Sequence, residues 1–281
     1  MRKFTFNLNK KVINTVLGLT LLSFGTFAQV SGTKSIPGDY PDIASFVVDI
    51  NTNGIGAGGV NAVIAPGFTE TAPAGGYVIT ATGTASDNIS IGSIGLPKPV
   101  ITAPAQTAGN LNDAIFKIVG GDYINIAGLE LRENVTNTIT AAGTNDMTEF
   151  GVALFYATPT DGPENCSIIN NTIILNRTYQ NTFGIYANAT HAAATVTTSA
   201  TATSPAGGIN GLKVYGNAIS NVNIGIVAIG PTAAANHSTG IDIGGNGLST
   251  GNTITDFGTT GTFSGFSNVS GTINGVLVRN A

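Results

Sequence analysis

The sequence predicts an all-β fold, a parallel β-helix (a solenoid of stacked coils) behind one N-terminal capping helix. Three observations carry this. Of 281 residues only 9% are charged while 38 are Gly, against about 25% charged and about 7% Gly in ordinary domains, so the chain is built from short apolar strands and tight turns. Two strand signatures alternate along the second half of the chain. Their spacing drifts, which stacked coils tolerate and fixed-period repeats do not.

The same composition excludes whole classes of function. Charge is too sparse for a coiled coil, a basic nucleic-acid binder or a charged disordered tail. The single Cys166 makes no intrachain disulfide framework. With 42% apolar residues, the chain can still bury a sizeable core.

At the N-terminus, Arg2, Lys3, Lys10 and Lys11 precede an apolar run from Val12 to Phe27. That run is short of the roughly 20 residues a membrane span needs, so residues 1–28 read as a signal peptide, cleaved after Ala28. Removing it takes four basic residues and no acid, leaving seven basic against 15 acidic and a net charge near −8. Such a chain has no electrostatic footprint for nucleic acid, and no later stretch is apolar enough to be a transmembrane segment. The protein is therefore expected to be secreted or held at the outer cell surface.

Residues 29–110 read as the N-terminal cap and first coils. Ile43, Phe46, Val47 and Ile50 fall on one face of a helix, with Pro41 near its start and Asn53-Gly54 ending it. This helix is expected to cover the exposed edge of the first coil. A strand pair follows over 60–70, then short strands at 77–81, 89–91 and 100–102, separated by Gly, Asn and Pro.

Residues 111–281 read as the coils proper. The first signature, apolar-x-x-Asn-x-Ile, occurs as Ile168/Asn171/Ile173 and Val214/Asn217/Ile219, with a weaker copy at Asn252/Ile254. The second sets Gly before a β-branched residue: Gly151-Val152, Gly184-Ile185, Gly225-Ile226 and Gly275-Val276. Successive Gly copies lie 33, 41 and 50 residues apart. In a β-helix the strands keep register at about 4.8 Å while the turns between them bulge to any length. Asn in equivalent turns then forms a ladder from coil to coil, and Gly supplies left-handed corners. Five to seven coils are expected, with the longest bulges at 188–208 and 230–251. The last strand signature stands against the end of the sequence, so the solenoid is expected to stop uncapped, as a fragment of a longer protein.

Gly38-Asp39-Tyr40-Pro41-Asp42-Ile43, Gly58-Gly59-Val60-Asn61-Ala62-Val63, Gly67-Phe68-Thr69-Glu70-Thr71 and Gly120-Gly121-Asp122-Tyr123-Ile124-Asn125-Ile126 resemble the N-terminal region of right-handed parallel β-helix surface proteins. These are similar to the pectate-lyase-like superfamily and are often exported by the type IX secretion route. The resemblance implies a right-handed coil and, for an enzyme, cleavage of acidic polysaccharide.

Such chemistry needs clustered charge: carboxylates that hold calcium beside a basic group, or paired acids that protonate a leaving oxygen and activate water. The candidates are Glu130 and Arg132, outward on a strand whose Leu129 and Leu131 point in, and the loop pairs Asp146/Glu149 and Asp161/Glu164. Each has a plainer reading, as a surface ion pair or as turn residues. His191 and His237 read as exposed loop residues, and Cys166 as a small core residue aligned with Leu212. No catalytic set and no cofactor is expected; a calcium ion on the loop carboxylates is the alternative. The reading favoured is a non-catalytic adhesin or glycan-binding protein whose partner is an extracellular polysaccharide or cell-surface glycan. The rivals are a polysaccharide lyase or glycoside hydrolase and a purely structural stalk.

Overall fold

The computed structural model describes residues 28–106, 112–138, 147–193, 201–247, 249–259, 269 and 274–281. The predicted leader falls outside them up to residue 27. Strand β1 (Val30–Ile36) leads into one helix, α1 (Ile43–Asn53). Coils of three strands follow: β2 (Ile55–Ile64), β3 (Thr69–Thr71) and β4 (Tyr77–Ile79); β5 (Ile89–Gly92), β6 (Val100–Thr102) and β7 (Ala114–Val119); β8 (Ile124–Ala127), β9 (Glu130–Arg132) and β10 (Phe150–Tyr156). The next are β11 (Ser167–Ile169), β12 (Thr172–Ile174) and β13 (Phe183–Ala192); β14 (Lys213–Tyr215), β15 (Ala218–Val222) and β16 (Ile224–Ile229); β17 (Asp242–Ile243), β18 (Thr253–Phe257) and β19 (Val276–Arg279).

The strands stack into three sheets, parallel throughout. Sheet A runs β1-β2-β5-β8-β11-β14-β17, sheet B runs β3-β6-β9-β12-β15-β18, and sheet C runs β4-β7-β10-β13-β16-β19. This is a parallel β-helix of six coils among the described residues. The expected strand pair over 60–70 is not a hairpin: β2 and β3 belong to different sheets. β1 carried no sequence signal because Gly32 and Lys34 interrupt its alternation. β17 lies inside the segment expected to bulge over 230–251.

Register explains the core. In sheet A, Ala62, Ile91, Ile126, Ile168 and Val214 stack in one column and are fully buried. In sheet B, Ile101, Leu131, Ile173 and Ile219 do the same. Each Ile, Leu and Val among them contributes about 2 kcal/mol of burial, and Ala62 less. The sheet B column starts with Glu70, paired with Ile101. Its carboxylate accepts the Ile43 N–H of α1 at 2.9 Å, a negative charge at the positive end of the helix. Asp42 caps the same end, accepting from the Ser45 N–H at 2.7 Å, and α1 buries Ile43, Phe46, Val47 and Ile50.

The Asn copies form a ladder at the corner between sheets A and B. Asn171 Oδ1 accepts the Leu129 N–H, Asn217 Oδ1 accepts the Asn171 N–H, and Asn252 Oδ1 accepts the Asn217 N–H, each at 3.0 Å. Their amide nitrogens donate back to Ile126, Ile168 and Val214 carbonyls. The Gly copies have a different role from the one expected. Gly151, Gly184 and Gly225 are not left-handed corners; a Cβ on Gly151 would lie 2.6 Å from both the Gly184 carbonyl and Ile173 Cγ2. The left-handed corners are elsewhere, at Gly128, Asn170, Gly216 and Gly245, and at Tyr123, Asn165, Gly211 and Gly240. In the last coil, Val276 and Val278 continue the buried Ile226 and Ala228 positions but are 42% and 48% exposed.

Candidate functional site

The outer faces of the sheets differ in chemistry. On sheet A the outward residues Thr33, Asn61, Ser90, Asn125, Ser167, Lys213 and Asp242 stand side by side in register. The next outward row places Gly92 and Ala127 between the larger Val63 and Ile169. Their small size leaves a trough. Three depressions run through it without a break. One of about 220 Å³ is lined by Asn88, Ser90, Tyr123, Asn125, Asn165 and Ser167. It shares Ser90 and Asn125 with a second of about 140 Å³, which shares Ser93, Ile94 and Ala127 with a third of about 410 Å³ over the corner to sheet B.

The groove is almost free of charge. Among the described residues Lys98 is its one charged lining residue, and its ammonium is already held by the Asn170 carbonyl at 2.6 Å and Thr172 Oγ1 at 3.1 Å. Partial burial pushes the Lys98 pKa below its ordinary value, against the opposing pull of Glu130. The other groups are amides and hydroxyls, which both donate and accept. Asn125 Oδ1 is buried with no hydrogen-bond partner among the described residues, an acceptor left over on a groove-lining side chain. At one end Tyr123 is held at φ 52°, a left-handed corner that equivalent coils fill with Asn165, Gly211 and Gly240. An aromatic residue there costs about 1–2 kcal/mol, which Asn or Gly largely avoids, and such strain collects at functional positions.

The residues singled out in the sequence fall into separate neighbourhoods. Glu130 and Arg132 lie outward on β9 and pair with each other; Arg132 is exposed, and Glu130 stands near Lys98. Asp146 lies outside the described residues. Glu149 is no surface turn residue: it is fully buried before β10, where it accepts the Tyr179 hydroxyl at 2.6 Å and the Asp113 N–H at 3.0 Å. Burial, with Asp113 beside it, holds its carboxyl well above the ordinary range. Asp161 is exposed in the turn after β10. Glu164 is half-buried at the corner before sheet A and accepts Asn210 Nδ2 at 2.7 Å. Among the described residues no three His, Cys, Asp or Glu side chains group as a metal site.

His191, expected on an exposed loop, is also buried. β13 continues through Ala192, and the imidazole packs on Phe155 with its Nδ1 in a 3.0 Å hydrogen bond with the Tyr186 hydroxyl. His237 is half-buried. Cys166 is buried in the core with Leu212, as expected, and burial pushes its thiol up to about 12. Sequence reasoning passed over Tyr123, Asn125, Ser90, Ser167 and Ile94. The one local signal was Tyr123 itself, an aromatic residue at a corner otherwise filled by Asn and Gly.

No family model and no curated protein matches the chain. Among solved structures, the crystal structure of alginate lyase from Paenibacillus sp. str. FPU-7 is similar at 18% identity and a TM-score of 0.29, over 76% of this chain and 73% of that one. The parallel β-helix architecture thus rests on the strand register described above, three parallel sheets wound from one chain.

Proposed function

We propose that this protein is an exported or cell-surface β-helix that binds an extracellular glycan on the outer face of sheet A without acting on it, and that its coil is right-handed with α1 as the N-terminal cap. The observation that carries the reading is the continuous groove of amides and hydroxyls with the strained Tyr123 at one end. Sugars are recognised by groups that both donate and accept, set around a few apolar contacts. Low charge favours uncharged stretches of glycan. Ser90, Asn125 and Ser167 repeat along the stack as sugars repeat along a chain, which suits several weak contacts made at once.

Titration calorimetry with cellohexaose, xylohexaose, mannohexaose and an oligogalacturonate tests this. A neutral oligosaccharide is expected to bind, and Asn125→Ala to weaken it about tenfold, the loss of one well-placed hydrogen bond. Binding of the oligogalacturonate alone overturns the reading. So does the appearance of new chain ends in any of the four, which would favour a lyase or hydrolase working at Lys98, Glu130 and Arg132.

A further inference from the structure

Sheet A turns into sheet B by two residues in three successive coils, 128–129, 170–171 and 216–217. In the coil before them the same corner takes residues 93–99, Ser-Ile-Gly-Leu-Pro-Lys-Pro. The extra residues do not fold back on the core. Ile94 and Leu96 stand 103% and 82% exposed, beside Ser93, Gly128, Asn170 and Gly216.

The turn is nonetheless held at Ser93, Pro97, Lys98 and Pro99. The Ser93 N–H donates to the Ala127 carbonyl at 3.1 Å, the Pro97 carbonyl accepts the Gly67 N–H at 2.8 Å, and the Pro99 carbonyl accepts the Glu130 N–H at 2.9 Å. Gly95 lies so close to Pro66 that a Cβ would come within 2.3 Å of its ring. Lys98 reaches across to Asn170 and Thr172 of the fourth coil. Contacts to the first, third and fourth coils thus fix a turn whose two apolar side chains stay in water. Water penalises that arrangement unless something covers them. Both line the 410 Å³ depression, and Ile94 also lines the 140 Å³ one.

We infer that Ile94 and Leu96 form an apolar platform at the end of the groove that selects glycans whose rings are linked through equatorial bonds. This rests on the glycan-binding reading above and adds the class of glycan. A β-linked glucose ring carries its hydroxyls around the edge and axial C–H groups on both faces. Its face suits Ile94 and Leu96, while its edge suits Ser93, Asn125 and the Asn170 region. An α-linked chain of the same sugar coils and offers no flat ribbon for the two contacts together. The platform itself makes no polar contact with the sugar, so its contribution appears as a preference between chains of equal charge and composition.

The test compares cellohexaose with maltohexaose on the full chain by titration calorimetry, with Ile94→Ser/Leu96→Ser as the variant and its circular dichroism and thermal midpoint as the folding control. The expected result is at least fivefold preference for cellohexaose in the parent, about a tenfold loss of that affinity in the variant from the forfeited apolar contact, and little change for maltohexaose. A folded variant that keeps both affinity and preference overturns the platform while leaving the groove intact. Parent protein that binds neither sugar, with a sedimentation velocity shift caused by the variant, overturns it in favour of contact between copies of the chain. Asn125→Ala separates the two claims, since it is expected to weaken both sugars and leave their ratio unchanged.

Discussion

The outer faces of sheets A and C have the same parallel pairing and opposite surroundings. Sheet A shows solvent a row of Ser and Asn. Sheet C turns outward Phe150, Phe183, Tyr186, Ile224 and Val227, which form a second apolar cluster outside the solenoid and are fully buried. Phe150 and Phe183 stack at 5.6 Å, and Phe150 meets Tyr186 at 4.4 Å. The two faces also differ in the length of chain between the strands beside them. Long connections flank sheet C, at 133–149, 193–212, 230–241 and 258–275, whereas three of the A-to-B corners hold two residues each. Ala193 and Val269, described residues of two of those spans, pack against the sheet C cluster. The polar network of Glu133, which accepts from Asn137 at 2.7 Å and Thr148 Oγ1 at 2.8 Å, ties down one of those connections.

The largest expected effect is therefore on sheet C. Phe150→Ala should cost about 3–4 kcal/mol in urea denaturation, by loss of packing plus the cavity left behind. The matching change on sheet A, Ser167→Ala, should stay within about 0.5 kcal/mol. Equal costs would erase the contrast between the faces.

A second measurement concerns the buried carboxyl beside the apolar cluster. Asp113, Lys117 and Glu133 face Glu149, and Tyr179 and the Asp113 N–H bond to it. Burial raises the pKa of both Glu149 and Glu133. A carboxyl that holds its proton more tightly when folded stabilises the fold fully below the ordinary carboxylate range, and that contribution is lost as pH rises through the raised value. The thermal midpoint should thus fall as pH rises above the ordinary carboxylate range, and Glu149→Gln should flatten the slope. Burial of Lys117 lowers its pKa, so its own effect runs the other way and lies toward alkaline pH. A slope unchanged in Glu149→Gln would place the titration elsewhere.

The smallest effect sharpens the reading of sheet A. Tyr123→Asn should gain about 0.5–1 kcal/mol by relieving the left-handed corner. The same change should weaken glycan binding. A variant that is both more stable and equally good at binding would make Tyr123 an ordinary corner residue.

The coils were legible in the sequence wherever register forces a repeat. Asn171, Asn217 and Asn252 must each meet a backbone amide of the neighbouring coil, and Gly151, Gly184 and Gly225 must each admit a carbonyl. Such demands recur at one position per coil and leave a visible pattern. The groove left none. Ser90, Asn125 and Ser167 lie 35 and 42 residues apart, and any polar side chain satisfies an outward strand position. Glu149 and His191 were misplaced for a related reason: their neighbours read as loop, yet Glu149 stands directly before β10 and His191 lies within β13, and both are buried.

The Asn ladder has one more consequence, for how the molecule can change over time. Each rung presents the same acceptor to the coil before it and the same amide to the coil after it, whatever lies in the intervening loop. A coil such as 171–216 can therefore be duplicated or excised whole, and the severed rungs will find matching partners. Lengthening the groove by a unit needs no redesign of the joint.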